Sequence, residues 1–551
     1  VLFLTNCKKI LGAPGTGKTH RCTEIFKDSI KNGISETEIL YTTYRREAAD
    51  DAVIKISNET GIKTKKLEKI VNTTHGICLS LLLRNGFIKT QENHNFLFLE
   101  PYDIPQFNKK YGYNLKANGT GIDAINNGTA DPFLQTYSVM RATRTPLNEV
   151  YKVGLPLQYS ISEFKQIVND LNDWKQEHNK LEFADMIDTV IEEGLCPDCS
   201  VQIYDESQDM TSQMYTVSKM WAENADEVVL AGDHLQTLYP HMGANPRYFL
   251  DWDGELEVIP ESRRLTAGTW EIAKDVIRSN TPYEAPDIKT RTENGLIAQL
   301  NFANLDHYFA NGMPKNDTFH LVRANYMGGF IADKLACAGI PFGGLKQYAW
   351  KPVEKNLFNA VQAIRSFRQL KPAEFCAIMD KYPAQLTGAP SSLIQKSALK
   401  EKVQNGEHST SMSMFSQHLI EAIKADYPLK SSTVKNELSI KKIMGALNRE
   451  LHDVTQEDID RVKILTIHGS KGMQATTNFL HMSIPNAVTK SLMTKQGREN
   501  EAYVWYVGVT VLHQLDQKII YPHYDFKHLT EKYFEIGMKL DDFLIQLVKY
   551  W

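Results

Sequence analysis

The chain has 551 residues, 42% hydrophobic and 23% charged, with a net charge of −4. That length suggests three or four domains of ordinary soluble composition. The charge excludes a globally basic protein but leaves room for a locally basic groove. No apolar run reaches the roughly 20 residues of a membrane span, and Val1–Leu4 is too short and lacks the basic flank of a signal peptide. Val1 in place of Met points to a processed or truncated start. Seven scattered cysteines suit reduced thiols in a cytoplasm.

In chain order, Lys9-Ile10-Leu11 predicts the end of a buried strand and Thr19 to Ile30 a helix. Between them Gly12-Ala13-Pro14-Gly15-Thr16-Gly17-Lys18-Thr19 fits G-x-x-x-x-G-K-[ST]. Gly12, Gly15 and Gly17 let the backbone curl so that successive N–H groups, Thr16 among them, face one anion-sized hollow at the helix N-terminus. Lys18 can then reach phosphate oxygens, and the Thr19 hydroxyl can sit on Mg²⁺. This predicts a nucleotide phosphate site.

Ile39–Thr43 predicts a second strand and Tyr44–Val53 a helix. Thr43 and Tyr44 at that strand end suit a nucleic-acid backbone and a base face; taken alone, the segment reads as a helix start with solvated arginines. Val71–Gly76 repeats the pattern with Thr73 and His75, a histidine that alone is an ordinary loop residue. Residues 86–160 turn rich in Asn, Gly, Tyr and Lys, with poor periodicity, and predict an inserted subdomain. Helical spacing returns from Ser162 to Trp174, and a short helix starts at Leu181. Cys196 and Cys199 form a lone C-x-x-C, without the second pair that a zinc site needs.

Val201-Gln202-Ile203-Tyr204 delivers Asp205 and Glu206 at a strand end. After a phosphate loop, the first carboxylate suits the metal and the second a base for water; by themselves, paired acids are also common at turns. A third strand, from Val228, ends near Gln236, whose amide can sense a γ-phosphate. Tyr239 and His241 follow with flat faces for bases, or as ordinary packing residues.

Gly-x-Pro-Gly-Thr-Gly-Lys-Thr, Asp-Glu-Ser-Gln-Asp and Gly-Asp-x-x-Gln-x-x-Tyr, in this order, resemble the superfamily 1 DNA helicases of the UvrD, Rep and PcrA type. Glu261-Ser262-Arg263-Arg264 resembles the family's arginine motif. Leu321-Val322-Arg323-Ala324-Asn325 and Gly339-Ile340-Pro341-Phe342 resemble its next strands. Thr466-Ile467-His468-Gly469-Ser470-Lys471-Gly472-Met473 resembles T-x-H-x-x-K-G, and Tyr506-Val507-Gly508-Val509-Thr510 the strand of the last motif. The set runs from Gly12 to Thr510.

The resemblance implies an α/β fold of two RecA-like P-loop motor domains with parallel sheets, each carrying a mainly helical insertion. The expected bounds are 1–85 and 161–260 for the first domain, with 86–160 inserted. The second takes 261–346 and 443–551, with 347–442 inserted; its end predicts a strand over Lys518–Tyr521 and an amphipathic helix over Asp541–Val548. ATP and Mg²⁺ are the implied cofactors, with Thr19 and Asp205 on the metal. Lys18, Glu206, Gln236 and Arg264 are the implied catalytic set, with nucleotide contacts from Gly12 to Thr19, Arg263 and Gln474. Single-stranded DNA, entered from duplex junctions and followed 3′ to 5′, would meet Thr43, Tyr44, Thr73, His75, Tyr239 and His241, then Arg323, Thr466 and His468. No membrane partner is implied.

Four departures from the pattern stand out. Eleven residues precede Gly12, which leaves no obvious place for the family's adenine-reading glutamine. Arg263 stands for the aromatic that stacks on adenine and can replace it by a cation–π contact. Gln474 stands for a ribose-binding glutamate. Val511 stands for a γ-phosphate arginine, which leaves open an alternative: an ATP-dependent DNA clamp that closes but scarcely hydrolyses.

Overall fold

The computed structural model describes residues 6–88, 98–116, 131–291, 296–301, 312–381, 393–424 and 437–521, with the single residues 305, 309, 310 and 387. The expected helix over Asp541–Val548 lies outside them. The chain divides into two compact units, one built on the residues up to Asn294 with Ala487–Thr510, the other on Gly295–Asn486 with the strand after Val511.

Six strands form the sheet of the first unit: β1 (Cys7–Leu11), β2 (Ile39–Thr43), β3 (Val71–Thr73), β4 (Val201–Tyr204), β5 (Glu227–Gly232) and β6 (Glu255–Val258). Their order is β3-β2-β4-β5-β1-β6, and every pairing is parallel. A parallel sheet is covered on both faces, so its strands are apolar almost throughout. Ile10, Tyr41, Ile203 and Val229 pack on one face with Phe26, while Leu11, Leu40, Tyr204 and Leu230 pack on the other with Trp221 and Trp252. In register, Leu11 lies beside Gly232, Thr42 beside Tyr204 and Thr43 beside Thr73. The carboxyl ends of β1 to β5 therefore share one edge, the place where open α/β sheets take their ligands.

Two short strands, β7 (Glu261–Thr266) and β8 (Lys289–Arg291), pair apart from this sheet. β7 and the helix Ala267–Asn280, expected to open the second domain, group instead with the first unit. The reason is local: β7 hydrogen-bonds to the loop after β1, and the helix packs on a helix over Lys495–Thr510. That second helix corrects another expectation. Tyr506–Thr510 is not a strand but its buried last turn. An apolar run buried on all sides has no period to distinguish strand from helix.

Within residues 86–160 the described elements are helical: Ile104–Tyr111, Pro132–Ala142 and a 3-10 turn over Leu147–Val153. They pack with the helix Ile161–Glu177 around Phe107, Phe133 and Trp174. An ionic hub fastens this cluster to the helix Phe183–Glu192. Lys175 Nζ lies 2.7 Å from Glu182 and 2.8 Å from Asp185, and Arg141 lies 2.9 Å from Asp185 and 2.8 Å from Asp188. Tyr137 donates to Glu182 at 2.9 Å.

The second unit holds β9 (Leu296–Asn301), β10 (Thr318–Val322), β11 (Gly343–Gly344), β12 (Val462–Thr466), β13 (Ala475–His481) and β14 (Leu512–Tyr521), in the order β11-β12-β10-β13-β14-β9 and again all parallel. β14 includes the expected strand over 518–521. Among the described residues, five helices between Pro352 and Asn448 share one core with this sheet, in which Val322, Ile464 and Phe479 join Phe358, Ile364 and Ile443. No helix among the described residues is long and apolar enough to cross a membrane.

Candidate nucleotide and nucleic-acid site

The loop after β1 turns on two glycines in left-handed conformations, Gly15 (φ 75°) and Gly17 (φ 91°), which a side chain would strain. Gly12 is needed for space: a Cβ there would fall 2.4 Å from Thr16 Oγ1 and 2.7 Å from Lys18 Cγ. The helix Lys18–Lys31 starts at once, so its free N–H groups face the loop. Lys18 is buried and donates to the Gly12 carbonyl at 2.8 Å, which poises its ammonium at the rim of the hollow.

Across from this loop, β4 ends at Asp205. Its Oδ2 accepts from the Thr19 hydroxyl at 2.8 Å and from the Tyr41 hydroxyl at 2.9 Å. Burial, then the neighbouring Glu206, raises the Asp205 carboxyl above its usual range, with Thr19, Tyr41 and Lys18 opposing. One hydroxyl and one carboxylate that meet, with a second carboxylate adjacent, fit Mg²⁺, which takes few protein ligands and completes its shell with phosphate and water. Glu206 has a left-handed backbone (φ 57°). Its Oε2 accepts from Gln208 Nε2 at 2.6 Å.

Arg264 reaches the same place. Burial pushes its guanidinium below the usual range, while the Glu206 carboxylate favours its charged form. β7 is fixed to the phosphate loop: Ser262 Oγ donates to the Pro14 carbonyl at 2.7 Å, and the Arg263 N–H donates to the Gly15 carbonyl at 3.0 Å. The Arg263 side chain is exposed. A Cβ on Gly15 would fall 2.2 Å from that of Arg264, so the loop and β7 touch backbone to backbone. Gln236 bonds to Asp233, its Nε2 lying 2.8 Å from Oδ2.

The proposed nucleic-acid residues of this unit follow the same strand ends. Thr43 closes β2 and is buried. Thr73 caps the helix Thr74–Arg84, its hydroxyl accepting from the Gly76 N–H at 3.1 Å. His75 is half-buried, edge-on to the exposed ring of Phe183, and burial pushes its imidazole down to about 4. It is therefore neutral at pH 7. Tyr239 offers no free face: it is 4% exposed and stacks on half-buried Tyr44 at 5.2 Å. His241 is half-buried beside it.

In the second unit, Arg323 follows β10 and Thr466 closes β12, its hydroxyl accepting from the Gly469 N–H at 3.0 Å. His468 is buried in the turn that follows. These three stand at the carboxyl edge of the sheet. Gln474 precedes β13 at the amino edge, because Thr318 at the start of β10 lies beside Val462 and Thr477. It lines an open cleft of about 370 Å³ with Asp460, Arg461 and Lys463.

Tyr41, Gln208, Asp233, Ser262 and Tyr506 make contacts in the site to which the sequence pattern assigned no role. For Ser262 the signal was present, a hydroxyl one place before two arginines. Tyr41 showed only as one more apolar strand residue.

Residues 1–257 match the UvrD/REP helicase N-terminal domain. The chain is 23% identical to the putative ATP-dependent DNA helicase YjcD of Bacillus subtilis, over 60% of this chain and 46% of that protein, so it spans about half the length of that relative. It is 20% identical to the ATP-dependent DNA helicase PcrA of Bacillus subtilis, over 91% of this chain and 79% of PcrA. Identity to the ATP-dependent DNA helicase Rep of Buchnera aphidicola is also 20%, over 91% and 90%. Through its first 257 residues the chain matches the UvrD/REP helicase N-terminal domain, and it is similar nearly end to end to relatives named as PcrA and Rep helicases.

Proposed function

We propose that the chain is an ATP-dependent DNA helicase or translocase of the cytoplasm that moves 3′ to 5′ on single-stranded DNA and opens duplex at junctions. In this reading the two units are RecA-like motor domains, with residues 86–160 and 347–442 as helical insertions. One observation carries it: Thr19 and Asp205 meet at 2.8 Å beside Glu206, with Lys18 and Arg264 as the nearby cations.

ATP supplies the phosphoryl group when bound, and Mg²⁺ offsets its charge. The loop N–H groups from Gly12 to Thr19 would hold the phosphates, with Lys18 on the outer ones. Thr19 and Asp205 would hold the metal, and Glu206 would take the proton from water. Arg264 and Gln236 would meet the terminal phosphate, Arg263 and Gln474 the base and sugar. Single-stranded DNA would lie against Thr43, Tyr44, Thr73, His75 and His241 in one unit, with Tyr239 backing Tyr44, and against Arg323, Thr466 and His468 in the other. Steady-state ATPase with and without oligo(dT) tests this. Turnover that rises with the oligonucleotide supports it, and turnover indifferent to DNA overturns it.

Val511 favours a second reading, a clamp that binds ATP and DNA yet hydrolyses slowly. Valine can supply neither charge nor a donor where an arginine finger is worth about 10³–10⁵ in rate. Val511→Arg should then raise DNA-stimulated kcat roughly tenfold, a cautious fraction of that range, with DNA affinity unchanged. Val511 is 3% exposed, so a melting temperature measured alongside separates lost packing from gained charge. A natural protein already turning over at about tens per second dismisses the clamp.

A further inference from the structure

Gln208 is fully buried between the two strand ends that carry the chemistry. Its orientation is unambiguous. The Asp233 backbone N–H donates to its Oε1 at 3.0 Å, and an N–H can only donate, so the amide nitrogen must face the other way. That nitrogen meets Glu206 Oε2 at 2.6 Å. The amide lies in a notch made by Gly232, where a Cβ would fall 2.7 Å from Oε1. Beyond the notch, Asp233 Oδ2 accepts from Gln236 at 2.8 Å and from the hydroxyl of Tyr506 at 3.2 Å. A continuous link thus runs from Glu206 through Gln208 to the end of β5, and from there to the helix Lys495–Thr510.

Glu206 has a left-handed backbone that glutamate seldom adopts, and Gln208 is the neighbour that fixes its carboxylate. Six residues beyond Asp233, Tyr239 stacks on Tyr44 at the edge proposed for DNA. On the proposed reading, a strand bound beside that stack would displace the Asp233–Tyr239 segment, and the hydrogen bond at Asp233 would carry the displacement to the amide.

We propose that Gln208 is a positioning residue through which the end of β5 aims the Glu206 carboxylate, with Tyr506 anchoring the far end, so that DNA at the β5 edge governs hydrolysis. The proposal deepens the reading of Glu206 as the base in a DNA-dependent ATPase, and rests on it.

The test is steady-state ATPase of the full chain, natural and Gln208→Met, with and without oligo(dT). Methionine matches the length of glutamine and makes neither hydrogen bond. The expected result is an unchanged KM for ATP, unchanged oligo(dT) affinity, and a loss of DNA stimulation of kcat by about tenfold or more, within the range that a 1 Å misplacement costs. A merely structural role would lower basal and stimulated turnover together with the melting temperature. Stimulation equal to that of the natural protein overturns the proposal. Should Gln208→Met fail to fold, Tyr506→Phe removes a single hydroxyl and reads the same link: a smaller loss of stimulation at unchanged KM supports it, and full stimulation overturns it. A natural protein that ignores oligo(dT) overturns the helicase reading itself, whereas a stimulated natural protein with an equally stimulated variant overturns this link alone.

Discussion

Two of the places where the first unit buries charge are solved differently. In the ionic hub, Arg141 and Lys175 meet Glu182, Asp185 and Asp188 directly. Burial alone would raise the Asp185 carboxyl, yet Lys175 and Arg141 hold it below its usual range. At the strand ends, Asp205 and Glu206 lie side by side, and the Asp205 carboxyl is raised. There Lys18 bonds a carbonyl and Arg264 is itself desolvated. Charge matched within the protein marks a fastening, whereas carboxylates left crowded mark a place where a cation and phosphates are expected.

The contrast predicts different failures. Glu206→Gln should keep nucleotide binding and slow hydrolysis by roughly 10²–10⁴, the worth of a positioned base; single-turnover kinetics measures it, and near-natural rates would move the base elsewhere. Lys175→Met should leave the strand-end chemistry intact at low temperature but cost about 3–5 kcal/mol of stability, because it strands buried carboxylates. Urea unfolding reads that loss. Smaller still, Tyr44→Ala and His241→Ala should each cost roughly 1–3 kcal/mol of single-strand affinity, by fluorescence anisotropy with oligo(dT).

The smallest effect is the sharpest test, because its sign differs between the two places. A depressed carboxyl stabilises the fold above its unfolded value, near 3.8, and that gain is lost as pH falls through the folded value. Asp185→Asn should therefore lower the melting temperature at pH 7 and change it little in strong acid. A raised carboxyl favours the fold at low pH, and that advantage is lost as pH rises from 3.8 through the folded value. Without nucleotide, Asp205→Asn should melt at or above the natural protein at pH 7 while losing Mg²⁺-dependent turnover. A melting temperature well below the natural one would show that Asp205 is a fastening too.

Much of the first unit was legible because its signals are local. Gly12 to Thr19 declare their turn within eight residues, and Asp205 and Glu206 follow an apolar run whose period is plain. The links between these pieces were not. Tyr506 reaches Asp233 across 273 positions and Ser262 reaches Pro14 across 248, and nothing in the local pattern marks the partner of either hydroxyl. Tyr239 looked like an open face because a lone aromatic carries no sign of the partner, Tyr44, that covers it. Tyr506–Thr510 looked like a strand because its burial is complete.

The contact made by Ser262 has a consequence for how the protein comes to be. The matched helicase domain ends at residue 257, five positions before the hydroxyl that holds the Pro14 carbonyl. A nascent chain leaving the ribosome can complete β1 to β6 and still lack the clasp on its phosphate loop. Because β6 already seats Val258 beside Leu11, the clasp then closes over only a few residues. On the proposed nucleotide reading, a fragment cut at 257 would carry the whole P-loop sequence without the contacts that Ser262 and Arg263 make to Pro14 and Gly15.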